Sequence, residues 1–570
     1  MIRQGVTIPL IHGHISGLKP GQLAALERLY RRRVPTSLVI THELARTACQ
    51  LTQEIQRPIG LLITRRGAIE QVLVGTGCIP AFQSLAKFRA GAHSLRGLRL
   101  VRTHPGDEPL SQEDLTNLAL LRLDLMAAIG VGDDAEPGHV YVAHLVPPNP
   151  QGQVCAVLKP VLFQNFQLEF DTFVAELEGD LQRADSRHTV QSGQESALLV
   201  SASPRSRGEQ EEHLEELAEL AESAEVTIVD RIVQRTQNEY HRFLLGKGKL
   251  KEVVIRALQR GADLLIFDQD LAPAQARAIS EVTDMKVIDR TQLILDIFAR
   301  RAHTREGKVQ VELAQLRYLL PRLSGRGASL SRLGGGIGSR GPGETKLETD
   351  RRRIRERITH LERDLLHFAR HQDQRRARRF RHALPILSII GYTNAGKSTL
   401  LNTLTKSHVS AEDRLFETLD TTSRRLRFPH DREIIVTDTV GFIRDLPKDL
   451  LGAFRTTLEE LKDADMLLHL VDASAQDIDS QIAAVESILK TLEIEFIPRI
   501  VVLNKCDRLS PQETLVLSQR YKAIAISAVQ PDTLRPLIAK IESLLPSLVP
   551  AAAGEGLASG AQSPALVSRS

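Results

Sequence analysis

Gly391-Tyr392-Thr393-Asn394-Ala395-Gly396-Lys397-Ser398 fits the pattern G-x-x-x-x-G-K-[ST]. Such a loop is suited to holding phosphate. Its glycines let main-chain N–H groups close around an anion, and the helix that follows adds partial positive charge at its N-terminus. Lys397 is the candidate to reach the β and γ phosphates of a nucleotide, and Ser398 is the candidate to ligate Mg²⁺ through its hydroxyl. Asp438-Thr439-Val440-Gly441 stands downstream. Asp438 suits the Mg²⁺ shell, while the Gly441 N–H suits a γ-phosphate and could sense its loss. Lys397 and Gly441 are therefore the catalytic candidates.

Two further motifs address the base. Asn504-Lys505-Cys506-Asp507 offers one carboxylate to the paired N–H donors at N1 and N2 of guanine. Adenine has no such pair, so a buried Asp507 left unpaired would penalise ATP. Asn504 is expected to brace the surrounding loops, and the Lys505 stem to cover the base. In Ser527-Ala528 the Ala528 N–H is expected to meet guanine O6. Taken singly, each motif has a plain reading as a glycine turn or a strand-end turn. All four in this order point to GTP or GDP with Mg²⁺. Every residue in them is taken as a nucleotide contact.

A first switch is expected between the first two motifs, where Thr418 and Thr422 are both candidate Mg²⁺ ligands that spacing does not separate. Phe442 follows Gly441, where many GTPases carry a glutamine that orients the attacking water. Phenylalanine cannot hydrogen-bond that water. Slow intrinsic hydrolysis follows, with help from a partner, a potassium ion or a rearranged switch. Asn394 is the residue that would suit K⁺.

These motifs need an α/β frame. Apolar runs at 385–390, 433–437, 499–503 and 523–526 read as buried strands ending at the four motifs, and 399–404 reads as the start of a helix. The chain of 570 residues is long enough for three or more domains. Cys49, Cys78, Cys155 and Cys506 form no C-x-x-C pair, which argues against a zinc site or disulfide scaffold and fits a reducing cytosol. There is no signal peptide and no apolar run long enough to span a bilayer. A cytoplasmic, monomeric protein is expected, with peripheral association as its only membrane contact. The absence of Trp disfavours a base-stacking RNA module.

Net charge is only +4, but it is unevenly placed. Residues 351–382 hold Arg351, Arg352, Arg353, Arg355, Arg357, Arg363, Arg370, Arg375, Arg376, Arg378, Arg379 and Arg381. Ile354, Ile358, Leu361, Leu365 and Phe368 recur among them at helical spacing. An amphipathic helix with a cationic face is expected, either simply solvated or set against RNA phosphates. Residues 308–320 read as its antiparallel hairpin partner. Between them, 324–343 is rich in Gly, Ser and Arg and is expected to be mobile. Arg322, Arg326, Arg332 and Arg340 suit insertion between RNA strands. Residues 197–289 alternate strand and helix signals, with strands at 198–200, 226–229 and 264–267 and an acidic helix at 209–222. Gly246-Lys247-Gly248-Lys249 reads there as a basic turn starting a helix, more readily than as a second nucleotide site.

With these residues assembled, the chain resembles the HflX family of GTPases. The resemblance rests on residues 335–353, from Gly335-Gly336-Ile337-Gly338 through Gly341-Pro342-Gly343 to Arg353. It rests also on 289–298, on 246–249 and on 391–399, and it covers roughly 198–545. The resemblance implies a Ras-like P-loop G domain preceded by an α/β HflX domain with a helical hairpin. It implies binding to rRNA of the large (50S) subunit and the 70S ribosome, and splitting of stalled or idle ribosomes. It also implies that Phe416, Glu417, Thr418, Leu419 and Asp420 form the switch-I nucleotide contact, which favours Thr418 as the Mg²⁺ ligand. The expected division is an extension at 1–190, an α/β subdomain at 196–300, the hairpin at 301–383, the G domain at 384–548 and a disordered tail at 549–570. In the extension, Thr103-His104-Pro105 and Ser111-Gln112-Glu113-Asp114 weakly resemble JAB/MPN metalloproteases. Arg102 stands where that pattern needs a histidine, so a degenerate, metal-free α/β domain is expected. The polar stretch 184–195 reads as a linker. The competing functions are a GTP-dependent switch on a non-ribosomal protein or membrane partner, and an RNA-remodelling ATPase using the middle domain.

Overall fold

The computed structural model describes residues 11–75, 85, 88, 94–132, 134–149, 151–192, 195–237, 242–283, 285–323, 346–380, 384–405, 422–428, 432–438, 441–442, 444, 460–475 and 477–548, without the side chains of 185–192, 346–347, 369–380, 422–423, 432, 460 and 545–548. Residues 416–420, 439–440, 324–343 and 549–570 lie outside it, so the switch-I contacts, Thr439, Val440, the Gly/Arg-rich loop and the tail are not described. The chain divides into two compact units, Met1–Ile294 with Pro321–Leu347, and Leu295–Leu320 with Glu348–Ser570.

The first unit holds two sheets. The extension carries β1 (Ile11–Gly13), β2 (Ile59–Thr64), β3 (Ile69–Val74), β4 (Leu98–Pro105), β5 (Leu125–Val131), β6 (Pro137–Leu145), β7 (Cys155–Val157) and β8 (Val161–Leu162). Their order is β1-β3-β2-β4-β5-β6-β7, with β8 on β6. Helix His42–Ile55 buries Leu44, Ala48, Leu51 and Ile55, a helical stripe, and its N-cap Thr41 accepts from the Leu44 N–H.

The second sheet is all parallel: β9 (Ser196–Ser203), β10 (Thr227–Arg235), β11 (Leu264–Phe267) and β12 (Lys286–Asp289), in the order β10-β9-β11-β12. Gly246 is the N-cap of helix Lys247–Gln259, so the Gly246–Lys249 run opens a helix. That helix meets helix Gln112–Leu121 of the extension, and Leu120 is buried in the core of the second sheet. The linker expected at 184–195 is corrected. Helix Phe170–Ser192 runs through most of it. The stretch is polar, but it has no Pro, and its Gly193 falls after the helix ends; polarity alone does not break a helix.

In the second unit, helices Arg305–Leu319 and Lys346–Phe380 are cross-linked. Arg357 makes a two-pronged pair with Glu312 at 2.7 Å, and Arg317 meets Glu362 at 2.7 Å. Arg305 lies over Phe368 while Glu312 meets Arg357, so the two helices run in opposite senses. Leu361 is buried and Ile354, Ile358, Leu365 and Phe368 are half-buried, whereas Arg352, Arg353, Arg355 and Arg363 are exposed. The stripe read from the sequence is the packed side of this helix. Arg357 is engaged by Glu312, which also raises its pKa.

The remaining sheet comprises β13 (Ile386–Gly391), β14 (Thr422–Phe428), β15 (Arg432–Asp438), β16 (Met466–Asp472), β17 (Arg499–Asn504) and β18 (Ile524–Ala525). Its order is β14-β15-β13-β16-β17-β18, parallel except for β14. Four of the parallel strands end at chemistry-bearing residues: Gly391, Asp438, Asp472 and Asn504. This is where an open α/β sheet binds ligands.

Candidate nucleotide site

The phosphate loop runs from β13 into helix Lys397–Thr405. At Gly391 an added Cβ would stand 2.2 Å from the Leu470 carbonyl oxygen, so only glycine fits beside β16. Lys397 is buried, and its Nζ donates to the Tyr392 carbonyl at 2.8 Å. Burial pushes the Lys397 ammonium down to about 8, against the opposing pull of Asp438. The Ser398 hydroxyl donates to Asp438 Oδ2 at 2.8 Å, and both residues are buried. A hydroxyl and a carboxylate side by side at the start of a helix are a hard oxygen donor set, which fits Mg²⁺.

The end of the second motif lies against this loop. Tyr392 and Phe442 form a parallel bridge, in which the Thr393 N–H donates to Phe442 O at 2.7 Å and the Phe442 N–H to Gly391 O at 3.1 Å. A Cβ on Gly441 would lie 2.7 Å from Thr393 Cγ2 and 3.0 Å from Lys397 Nζ. Gly441 thus lies beside the loop lysine. Phe442 is buried. The Tyr392 hydroxyl accepts the Arg444 N–H at 2.8 Å, and Arg444 pairs with Asp477 at 2.9 Å. Tyr392 is expected among the nucleotide contacts only by its place in the motif. Its hydroxyl is occupied with the chain beyond Phe442.

The base motifs meet the same loop. Asn504 Nδ2 donates to the Ala395 carbonyl at 2.7 Å, and its Oδ1 accepts the Ala528 N–H at 2.8 Å. One side chain therefore ties the phosphate loop to the last motif. The Ala528 N–H faces Asn504 rather than open space. The Ser527 hydroxyl donates to Asp507 Oδ1 at 2.6 Å, holding that carboxylate at the site. Lys505 Nζ is 3.4 Å from Asn394 Oδ1 and 2.9 Å from Asp472 Oδ2. The Cys506 N–H donates to the Ile526 carbonyl at 3.2 Å. Thr422 opens β14 opposite Asp438, at a backbone position only.

Sequence reasoning missed Asp472, Arg444 and Asp477. Asp472 had one readable signal. It ends an apolar run, Met466–Val471, as Asp438 and Asn504 end theirs.

A parallel sheet with a phosphate loop, a strand-end aspartate and an Asn-Lys-x-Asp turn at one edge defines a P-loop GTPase. Three family models match the chain: "GTP-binding GTPase N-terminal" at residues 211–299, "GTP-binding GTPase Middle Region" at 301–379 and "50S ribosome-binding GTPase" at 386–505. A GTPase HflX of Caldanaerobacter subterraneus is 47% identical over 61% of this chain and 80% of the relative. One from Alkalihalophilus pseudofirmus is 44% identical over 65% of this chain and 85% of the relative. One from Escherichia coli is 47% identical over 48% and 64%. The chain belongs to the HflX family of GTPases. It binds and hydrolyses GTP. Residues 1–210 lie outside the three family matches. No helix among the described residues is long and apolar enough to cross a membrane.

Proposed function

We propose that this GTPase binds the large ribosomal subunit in its GTP state and splits stalled or idle ribosomes. The observation that carries the proposal is the arginine-rich helix, whose exposed Arg352, Arg353, Arg355 and Arg363 belong to a helix ending at Phe380, just before β13 begins at Ile386. A cationic face that leads directly into the phosphate loop couples phosphate-backbone binding to the nucleotide state. The matched description "50S ribosome-binding GTPase" agrees with that reading.

In the proposed site, the N–H groups of Asn394 to Ser398 cradle the phosphates. Lys397 bridges the β and γ phosphates, and the Gly441 N–H faces the γ-phosphate. Ser398, with Asp438 behind it, would hold Mg²⁺, and Thr418 is the proposed second ligand. Bound there, Mg²⁺ would neutralise charge developing on the phosphate oxygens. Asp507 accepts from guanine N1 and N2, held by Ser527. Asn504 fixes the loop against Ala528, and Lys505 covers the base. Phe442 offers no side-chain hydrogen bond to the attacking water, so the ribosome, K⁺ or a rearranged switch must complete the site.

Co-sedimentation with 50S and 70S particles tests the proposal. The full chain should pellet with 50S subunits in a non-hydrolysable GTP analogue and largely leave them in GDP. A chain that stays in the supernatant with the analogue at low salt rules the ribosome out, in favour of a switch on another partner.

A further inference from the structure

Asp472 stands at the rim of the base site, outside the four motifs. It ends β16, opposite Asn504 of β17. Its Oδ1 accepts the Ser474 N–H at 2.9 Å and the Ser474 hydroxyl at 2.6 Å. These two bonds set the direction of the carboxylate. Its Oδ2 meets Lys505 Nζ at 2.9 Å, and the two side chains are only 16% and 14% exposed. A pair this shielded is screened far less than a surface one. Lys505 itself has φ +61°, a left-handed backbone that a lysine adopts only when its surroundings hold it there. From that position its ammonium spans from Asp472 to Asn394 Oδ1 of the phosphate loop.

A lysine has a long, freely rotating stem. Left unheld, it would have to be ordered each time a nucleotide binds, and that ordering weakens affinity. We propose that Asp472 is a positioning residue for the guanine nucleotide. Through Oδ2 it holds Lys505 extended between the base motif and the phosphate loop before the ligand arrives. Ser474 in turn holds Asp472. The inference rests on the reading of Lys505 as a nucleotide contact. Because base and ribose are common to both nucleotides, Asp472 should support GDP and GTP equally. Selection of guanine remains with Asp507.

Equilibrium binding of a fluorescent GDP and a non-hydrolysable GTP analogue to the full chain tests this in a double-mutant cycle. Asp472→Asn keeps the shape and can still accept from Ser474, but it loses the charge that holds the ammonium. It should weaken both ligands alike, by roughly three- to tenfold. Lys505→Ala should weaken them at least as much. The double variant should bind no worse than Lys505→Ala alone, because Asp472 acts through that lysine. Ser474→Ala should give a smaller loss in the same direction. Additive losses in the double variant, or wild-type affinity in Asp472→Asn beside a weakened Lys505→Ala, overturn the proposal and leave the Lys505 contact standing. Wild-type affinity in Lys505→Ala overturns that contact and the proposal with it.

Discussion

Two clusters in this chain look like catalytic motifs, and they differ in the elements that place their polar groups. In the G domain, Lys397, Ser398, Asp438 and Gly441 converge on the start of a helix. In the extension, Arg102, Ser111 and Asp114 satisfy one another, with His104 beside them. Ser111 is the N-cap of helix Gln112–Leu121 and forms a capping box with Asp114, with the Ser111 hydroxyl 2.7 Å from Asp114 Oδ2. The Arg102 guanidinium donates to Asp114 Oδ1 at 2.7 Å and to the Gly75 carbonyl at 3.3 Å. His104 Nδ1 donates to the Glu108 carbonyl at 3.3 Å, and burial holds its pKa down despite Asp114 nearby. A side-chain cation is thus built into the place where a metalloprotease pattern would ask for a ligand. Residue types at a suggestive spacing identify a site only together with the elements that place them: Ser111 and Asp114 serve as a helix cap, whereas Lys397 and Ser398 open a helix behind a phosphate loop.

The sharpest way to break this contrast is to remove a partner in the self-satisfied cluster. Asp114→Asn leaves the buried guanidinium of Arg102 without its counter-charge and weakens the cap. It should destabilise the extension by about 3 kcal/mol while leaving GTP hydrolysis per folded molecule unchanged. Denaturant unfolding of the full chain reads the first quantity and turnover reads the second. Unchanged unfolding, or lost turnover in folded protein, would mean that the cluster is not the structural brace described.

A smaller effect sharpens the other side. Lys397 is pushed down to about 8 in the empty protein, against about 10.4 in an unfolded chain. Between those values the unfolded chain holds the extra proton, so the empty protein gains stability as pH rises from about 8 to about 10. A phosphate reverses this preference, because it favours the ammonium. GDP binding should therefore take up close to one proton at about pH 9, where the GDP phosphates are already fully ionised. Above pH 8 its affinity should fall by up to about tenfold per pH unit. Calorimetry in buffers of different ionisation enthalpy measures the uptake. No uptake at pH 9 would mean that Lys397 is already an ammonium before the nucleotide binds.

The G domain was largely legible because its signals are local. Each strand is a short apolar run, and each motif sits at the strand's end, so spacing along the chain becomes proximity across parallel neighbours. Asp472 showed only as the end of a strand-like run, because its meaning depends on register with Asn504 and on Lys505, thirty-odd residues away in the chain. The same holds for Tyr392, whose hydroxyl is taken by Arg444. The Ser111–Asp114 pattern was visible, yet its structural role needed Arg102 from a neighbouring strand. The stretch at 184–192 was misread because polarity marks exposure, and an exposed segment without Pro or Gly remains free to be helical. The cationic helix was read correctly in its stripe, but the loss of Arg357 to Glu312 is a tertiary fact.

On the proposed reading, the phosphate loop around Lys397 hydrolyses GTP, and a ribosomal surface reached through the arginine-rich helix would complete that site. Single-turnover GTP hydrolysis, with and without 50S subunits, measures that coupling directly in wild-type protein and Lys397→Ala. The wild type should be slow alone and accelerate at least about tenfold with 50S subunits, and Lys397→Ala should stay at least about a hundredfold below it in either case. Equal rates with and without subunits in the wild type, or subunit-stimulated turnover that survives Lys397→Ala, would contradict the account.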